Sequence, residues 1–435
     1  MTPFLLLLLL IAIPAAFVAG YVVARRRARP AASSPPELAP PVDPQALALA
    51  HAEASPPSAP MRLRFTADAA AGTPEWRAAM GEIGERMRGA GVRLVLFAHG
   101  SFVGDDPLGL ARVAEEAAPL LPEIARGLRG FTRSNVSRLL GDLSNFTDEY
   151  VRDFGQATGV VTSGFTWSGE NHHAGRIQGA VRLARALVLH GGGAVRPGDR
   201  LLLVGHSHGG QVFAILSQLL ARAQGYDDLL AAAHARGEDV AALEEHLALL
   251  RRCSIDVATF GTPPRYGWAR SAGFRALHVV NHRGATPRAP SLRGLFHTRH
   301  GDYVHHIGAH GSDFPAPTAR ERAMNARLDR WLGQGSSVRL WLRNVAHGLR
   351  VAPEGDTVLV DYGDDAKVLP NLIASGLGHA AYTRYDAMLF HARLVGGHFY
   401  PPRAEEKPLS SRLRGWAAPR RLLLPARRSP SSPEA

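Results

Sequence analysis

The chain has 435 residues and a single cysteine, Cys253. An internal disulfide framework is therefore excluded, and a reducing compartment fits the composition. Acidic residues are the scarcer charge, 38 against 50 basic ones, which leaves a formal net charge of +12. Arginine far exceeds lysine, and its clusters lie at the two ends of the chain. Such an excess suits an anionic neighbour, a phospholipid surface or nucleic acid. No zinc-finger or RNA-recognition motif is present, so no nucleic acid is expected and the membrane surface is favoured. HExxH spacing is also absent. His297, His300, His305, His306 and His310 lie close together but match no recognised zinc ligand set, so no metal is expected.

Charge is missing altogether from Pro3 to Ala24, which includes the leucine run Leu5 to Leu10. At helical rise these residues reach about 33 Å, enough to cross a bilayer core. Arg25, Arg26, Arg27 and Arg29 follow, and no lysine or arginine precedes the apolar run. A secretory signal peptide needs a positive n-region, so a retained single-pass anchor is the preferred reading. The positive-inside rule then places the rest of the chain in the cytoplasm. Cleavage near Val18-Ala19-Gly20 with export is the alternative. Residues 1–29 are thus read as anchor and basic flank, and 30–60 as a Pro/Ala-rich tether. Residues 61–400 form the folded domain, and 401–435 a basic tail without a packed core.

Within 61–400, short apolar strands alternate with helices. Strands are expected near Arg62 to Phe65, Val92 to Ala98, Gly159 to Trp167, Arg200 to Val204, Ser254 to Phe260, Ala276 to Val280 and Thr357 to Val360. Helices are expected over Glu75 to Ala90, Arg176 to Leu189, Gln211 to Ala223 and Arg384 to Leu394, and Leu108 to Gly155 reads as mostly helical, Leu139 to Tyr150 included, and as a candidate wall of the pocket. Tyr226 to Arg252 reads as one or two helices, packed on the sheet or capping the site. This alternation predicts an α/β fold with a doubly wound, mainly parallel sheet and helical insertions.

The chain is organised around Leu201-Leu202-Leu203-Val204-Gly205-His206-Ser207-His208-Gly209-Gly210. Strand, sharp turn and helix meet there, with a serine at the apex. A serine so placed is held in strained backbone with its hydroxyl above the sheet edge. Gly205 and Gly209 flank the apex where a Cβ would clash, and the following helix N-terminus favours developing negative charge. The N–H of His208 is placed to donate to an oxyanion.

With Phe97-Ala98-His99-Gly100-Ser101, Phe260-Gly261-Thr262-Pro263-Pro264 and Gly378-His379, this elbow resembles the lipase and esterase-like members of the α/β-hydrolase superfamily. The resemblance spans Arg93 to Phe399. It implies a Ser-His-Asp triad in the order Ser, Asp, His, with Ser207 as nucleophile. The loop after the His99 strand would supply the second oxyanion N–H, from Ser101 or else Phe102. Lipase-like chains commonly carry Gly-Asp followed by valine at the acid, which favours Asp302 over Asp313 and Asp361. His379, in the loop after the last strand, is the expected base; His391 falls within the following helix and reads as structural, and His398, just beyond it, is the weaker rival. Trp167, Glu170 and Asn171 are candidates for lining the pocket. Pro264 departs from the usual Gly-Thr-Pro-His, so no role is carried over to it. The expected activity is hydrolysis of a carboxylic ester, lipid-like if the membrane supplies it, without a cofactor. The same triad would also serve an acyltransferase, and an inert Ser207 would indicate a binding or scaffold protein.

Overall fold

The structure, a computed structural model, describes residues 60–101, 146–189, 195–263, 265–269, 274–283, 301–308, 313–333, 354–363 and 378–402. Seven strands form one sheet: β1 (Met61–Arg64), β2 (Val92–Ala98), β3 (Thr162–Phe165), β4 (Arg200–His206), β5 (Ser254–Phe260), β6 (Phe274–Asn281) and β7 (Asp356–Asp361). Their spatial order is β1-β7-β6-β5-β4-β2-β3, and every pairing is parallel. The α/β expectation is met, with a wholly parallel sheet among the described residues.

A parallel sheet covered on both faces needs apolar residues at successive positions. On β4, Leu201 and Leu203 enter one core while Leu202 and Val204 enter the other. The first face is covered by α3 (His173–Leu189), α4 (His208–Ala221), α5 (Tyr226–Ala235), α6 (Val240–Leu250) and α8 (Ala319–Leu332). The second is covered by α1 (Pro74–Gly89), α2 (Asp148–Thr158) and α9 (Met388–Phe399). A short helix, α7 (Tyr303–Gly308), follows β6.

Local chemistry explains where the elements differ from the sequence reading. Helix α3 begins at His173 rather than Arg176 because the His172 ring accepts the Gly175 N–H at 3.2 Å and caps the first turn. The third strand shrinks to Thr162–Phe165 because Gly159 closes α2 in left-handed conformation and the Trp167 N–H turns to the His99 ring. Helix α2 starts at Asp148, where Thr147 caps the Tyr150 N–H, and runs on to Thr158. Tyr226 to Arg252 forms two helices. Leu229, Ala232, Leu243, Leu247 and Leu250 pack with Leu201, Leu203 and Val257, so the pair lies on the sheet and is not a cap over the site. Near the C-terminus a 3-10 turn, Tyr385–Ala387, precedes α9, which continues through Gly396 to Phe399. A Cβ on Gly396 would stand 3.0 Å from Ile83, so this glycine lets α9 lie close on α1.

Among the described residues no helix is long and apolar enough to cross a membrane. The expected anchor at Pro3 to Ala24, nearly all of the tether, and the tail from Arg403 lie outside them.

The site is positioned by strand order. The chain moves outward from β2 to β3, then returns to place β4 on the other side of β2 and continues to β7. The reversal between β2 and β4 makes a topological switch point, where open α/β sheets leave a crevice beyond the carboxyl ends. His99-Gly100-Ser101, Ser207 and Gly261 all leave neighbouring strands at that edge.

Candidate functional site

Ser207 stands between β4 and α4 with φ 53° and ψ −130°. Such a conformation costs a non-glycine residue roughly 1–3 kcal/mol and persists only where neighbours hold it. Here its N–H donates to Phe260 O at 2.9 Å, and its carbonyl accepts from Thr262 Oγ1 at 2.7 Å and Gly210 N–H at 3.2 Å. The flanking glycines are sterically required. A Cβ at Gly205 would lie 2.9 Å from Gly210 N, and one at Gly209 would lie 2.7 Å from His99 O. His208 opens α4, so its N–H belongs to the helix terminus rather than to the helical ladder.

His379 and Asp302 are brought together from segments 77 positions apart: His379 Nδ1 donates to Asp302 Oδ2 at 2.7 Å. Burial alone would raise the Asp302 carboxyl. The His379 charge and hydrogen bond, with His305, outweigh it and hold the carboxyl well below the usual carboxylate range. An ionised Asp302 keeps the proton on Nδ1 and leaves the Nε2 lone pair available. Nε2 is buried and has no hydrogen-bond partner among the described residues.

The His379 segment is braced by its flanking carbonyls. Asn281 Nδ2 donates to Gly378 O at 2.8 Å, and His206 Nε2 donates to His379 O at 3.1 Å. His206 therefore ties the residue before Ser207 to the imidazole loop, and the two histidine rings lie 4.5 Å apart. Gly261 follows Phe260, the acceptor for the Ser207 N–H. A Cβ there would fall 3.0 Å from His379 Cε1 and 2.9 Å from Asp302 Oδ2. Serine, imidazole and carboxylate thus meet around one short stretch, Phe260-Gly261.

The third part is the loop after β2. A Cβ on Gly100 would lie 2.8 Å from Ser207 Cβ and 3.3 Å from its Oγ, so this loop passes directly over the serine. His99 sets its course. The Trp167 N–H donates to His99 Nε2 at 3.1 Å, which assigns the proton to Nδ1. Nδ1 then donates to Gly100 O at 2.7 Å, and Trp167 Nε1–H donates to His99 O at 3.0 Å. In a planar trans peptide the Ser101 N–H points away from the Gly100 carbonyl, so fixing that carbonyl fixes the N–H. The Ser101 hydroxyl is buried without a hydrogen-bond partner among the described residues. Phe102 lies outside the described residues.

The remaining candidates fall elsewhere. Asp313 meets Arg176 Nη1 at 2.8 Å. Arg265 Nη1 stands 2.6 Å away but is not aligned for a hydrogen bond, so that contact is Coulombic. Burial would raise the Asp313 carboxyl, yet the two guanidiniums and His173 hold it well below the usual range. It is a clamp for the segment leading to α8, not a partner of His379. Asp361 ends β7, where it accepts the Gly363 N–H at 2.9 Å and faces Arg283 at 3.4 Å. His391 packs within α9 against Tyr362, whose hydroxyl lies 2.6 Å from Nε2, and burial pushes its pKa down to about 3. His398 is inside α9, not beyond it, and lies 3.7 Å from Asp356 at the amino end of β7, away from the serine. Glu170 and Asn171 anchor structure, Glu170 pairing with buried Arg236 and Asn171 accepting from Arg176. His297, His300 and His310 lie outside the described residues. Among the described residues no three His, Cys, Asp or Glu side chains are grouped to hold a metal ion.

Sequence reasoning passed over the supporting groups His206, Asn281 and Tyr382. Proximity to Ser207 and His379 was a signal for His206 and Tyr382, whereas Asn281 carried none. The burial of His208, with the charge of Arg176, drives its pKa well below 6.5, so its ring is neutral at neutral pH. Chemically, the arrangement offers a strained serine, an imidazole whose Nε2 has no partner among the described residues, a buried ionised carboxylate and the His208 and Ser101 backbone N–H groups flanking the serine.

No family model, no curated protein and no solved structure matches this chain.

Proposed function

We propose that the chain is a serine hydrolase of the α/β-hydrolase superfamily, lipase or esterase-like, that cleaves a carboxylic ester. The observation that carries this reading is the buried His379–Asp302 pair, whose Nε2 has no hydrogen-bond partner among the described residues and which meets the strained Ser207 around Phe260-Gly261. His379 takes the Ser207 proton as Oγ attacks the acyl carbon, and Asp302 orients and stabilises the imidazolium. The His208 and Ser101 N–H groups hold the oxyanion. His379 returns the proton to the leaving alcohol, and water then cleaves the acyl-enzyme by the same route. The Pro3 to Ala24 segment anchors the domain at a membrane, which makes a lipid-like acyl ester the favoured substrate class.

The test is fluorophosphonate labelling of the full chain beside Ser207→Ala. Labelling that is stoichiometric in the parent and absent in the variant supports an activated serine. A well-folded parent that stays unlabelled, with and without anionic vesicles, removes the enzymatic reading.

A further inference from the structure

Asp302 receives more donors than orienting one imidazole needs. His379 Nδ1 and the Tyr382 hydroxyl both donate to Oδ2, at 2.7 and 2.9 Å, while the His305 N–H donates to Oδ1 at 2.8 Å. The Asn281 N–H donates to the Tyr382 hydroxyl at 2.7 Å, which commits that hydroxyl's own proton to Asp302. Tyr382 is fully buried and lies three residues beyond His379, at the end of the turn Ala380–Tyr382. Gly261 packs directly against its ring, since a Cβ there would fall 2.4 Å from Tyr382 Cε2. Phenol and imidazole are therefore held on one carboxylate oxygen by the same turn.

We infer that Tyr382 is a positioning residue that sets how tightly Asp302 holds the His379 proton, through the carboxylate oxygen the two share. The inference rests on the serine-hydrolase reading. Two donors on one oxygen divide its charge, so stronger donation by the phenol weakens the hold on Nδ1–H. Burial and the Asp302 charge raise the phenol well above its ordinary range, so it stays a donor across the working pH. Other groups face this set: His206 and His208 near His379, His305 near Asp302, and Tyr362 near Tyr382. All are common to the variants compared below, so differences report the phenol alone.

The experiment measures fluorophosphonate labelling rate against pH for the full chain. It compares the parent, Tyr382→Phe, and chains carrying 3-fluorotyrosine or 3,5-difluorotyrosine at position 382. Removing the phenol leaves more charge for His379, so the imidazole keeps its proton to higher pH. The midpoint of the acid limb then rises by about half a unit, with a plateau loss of about tenfold or less because the triad itself is kept. The fluorinated phenols are stronger donors that differ only by fluorine for hydrogen at Cε, and they lower the midpoint in order of acidity. A midpoint indifferent to phenol acidity overturns the inference, even if Tyr382→Phe melts early. If no chain labels, the hydrolase reading fails by itself. The His379 Nδ1–H proton resonance then decides the inference: a downfield move in Tyr382→Phe upholds it, and an unmoved resonance overturns it.

Discussion

Asp302→Asn probes the site most sharply, because the surroundings of the carboxylate leave an amide no good orientation. With its NH2 at the Oδ2 position, the amide would face two donors, His379 Nδ1–H and the Tyr382 hydroxyl. With its NH2 at the Oδ1 position, it would face the His305 N–H. Relief of the first clash requires His379 to move its proton to Nε2, which removes the lone pair proposed to accept the Ser207 proton. Relief of the second leaves a buried donor unpaired, at about 1–3 kcal/mol. The expected loss is about four powers of ten in rate, or ~5.5 kcal/mol in barrier at 1.36 kcal/mol per decade. Melting should fall by only a few degrees, because the fold around Asp302 also rests on Tyr382, Asn281 and the sheet. The assay is the fluorophosphonate labelling rate at pH 8, with a melting curve on the same sample. A labelling rate within about threefold of the parent would refute the assignment of Asp302 as the acid.

Three further outcomes are expected. His99→Phe keeps the ring stack on Trp167 but loses the hydrogen bonds to Gly100 and to the Trp167 N–H. It should lower the labelling rate by about 10²-fold, the scale of one oxyanion donor, and lower melting by a few degrees because the buried Trp167 N–H is left unpaired; an unchanged rate would separate His99 from the oxyanion. Gly209→Ala drives a Cβ against the His99 and Ala98 carbonyls at 2.7 and 2.9 Å and should destabilise the fold by about 1–3 kcal/mol, read as a lowered urea midpoint. Stability should fall as pH drops below 6.5, because His278 and His391 are pushed down to about 4 and about 3 by burial. Below 6.5 the unfolded chain binds protons that the native state refuses, so each residue adds a slope of up to about 1.4 kcal/mol per pH unit down to its folded value. The Asp302 and Asp313 carboxyls, depressed from 3.8, add their loss only below that value. Urea midpoints constant between pH 6.5 and 4.5 would contradict this account.

Much of this molecule is written locally. Alternating apolar residues such as Leu201 to Val204 specify a strand buried on both faces. Gly-His-Ser-His-Gly specifies a sharp turn with small flanking residues, and Pro74 at the first position of α1, after Thr73 whose hydroxyl accepts the Trp76 N–H, specifies where a helix begins. These signals act over a few residues, so the sequence alone determined the α/β class, the elbow and the loops that meet it. Extents were less legible where a side chain overrode the pattern, as with the His172 cap on α3. The choice among Asp302, Asp313 and Asp361 was favoured locally only by the Gly-Asp pattern at Asp302. Each aspartate looks like a turn residue in sequence, and only strand order determines what each one meets. Placing β6 beside β5 sets Asp302 under His379. The arginines of α3 and of the loop after β5 claim Asp313, and β7 carries Asp361 to the far side of β6. The same long-range pairing brought Tyr382 and Asn281 to the carboxylate. No spacing encodes such contacts, because they depend on which strands become neighbours after the chain reverses between β2 and β4.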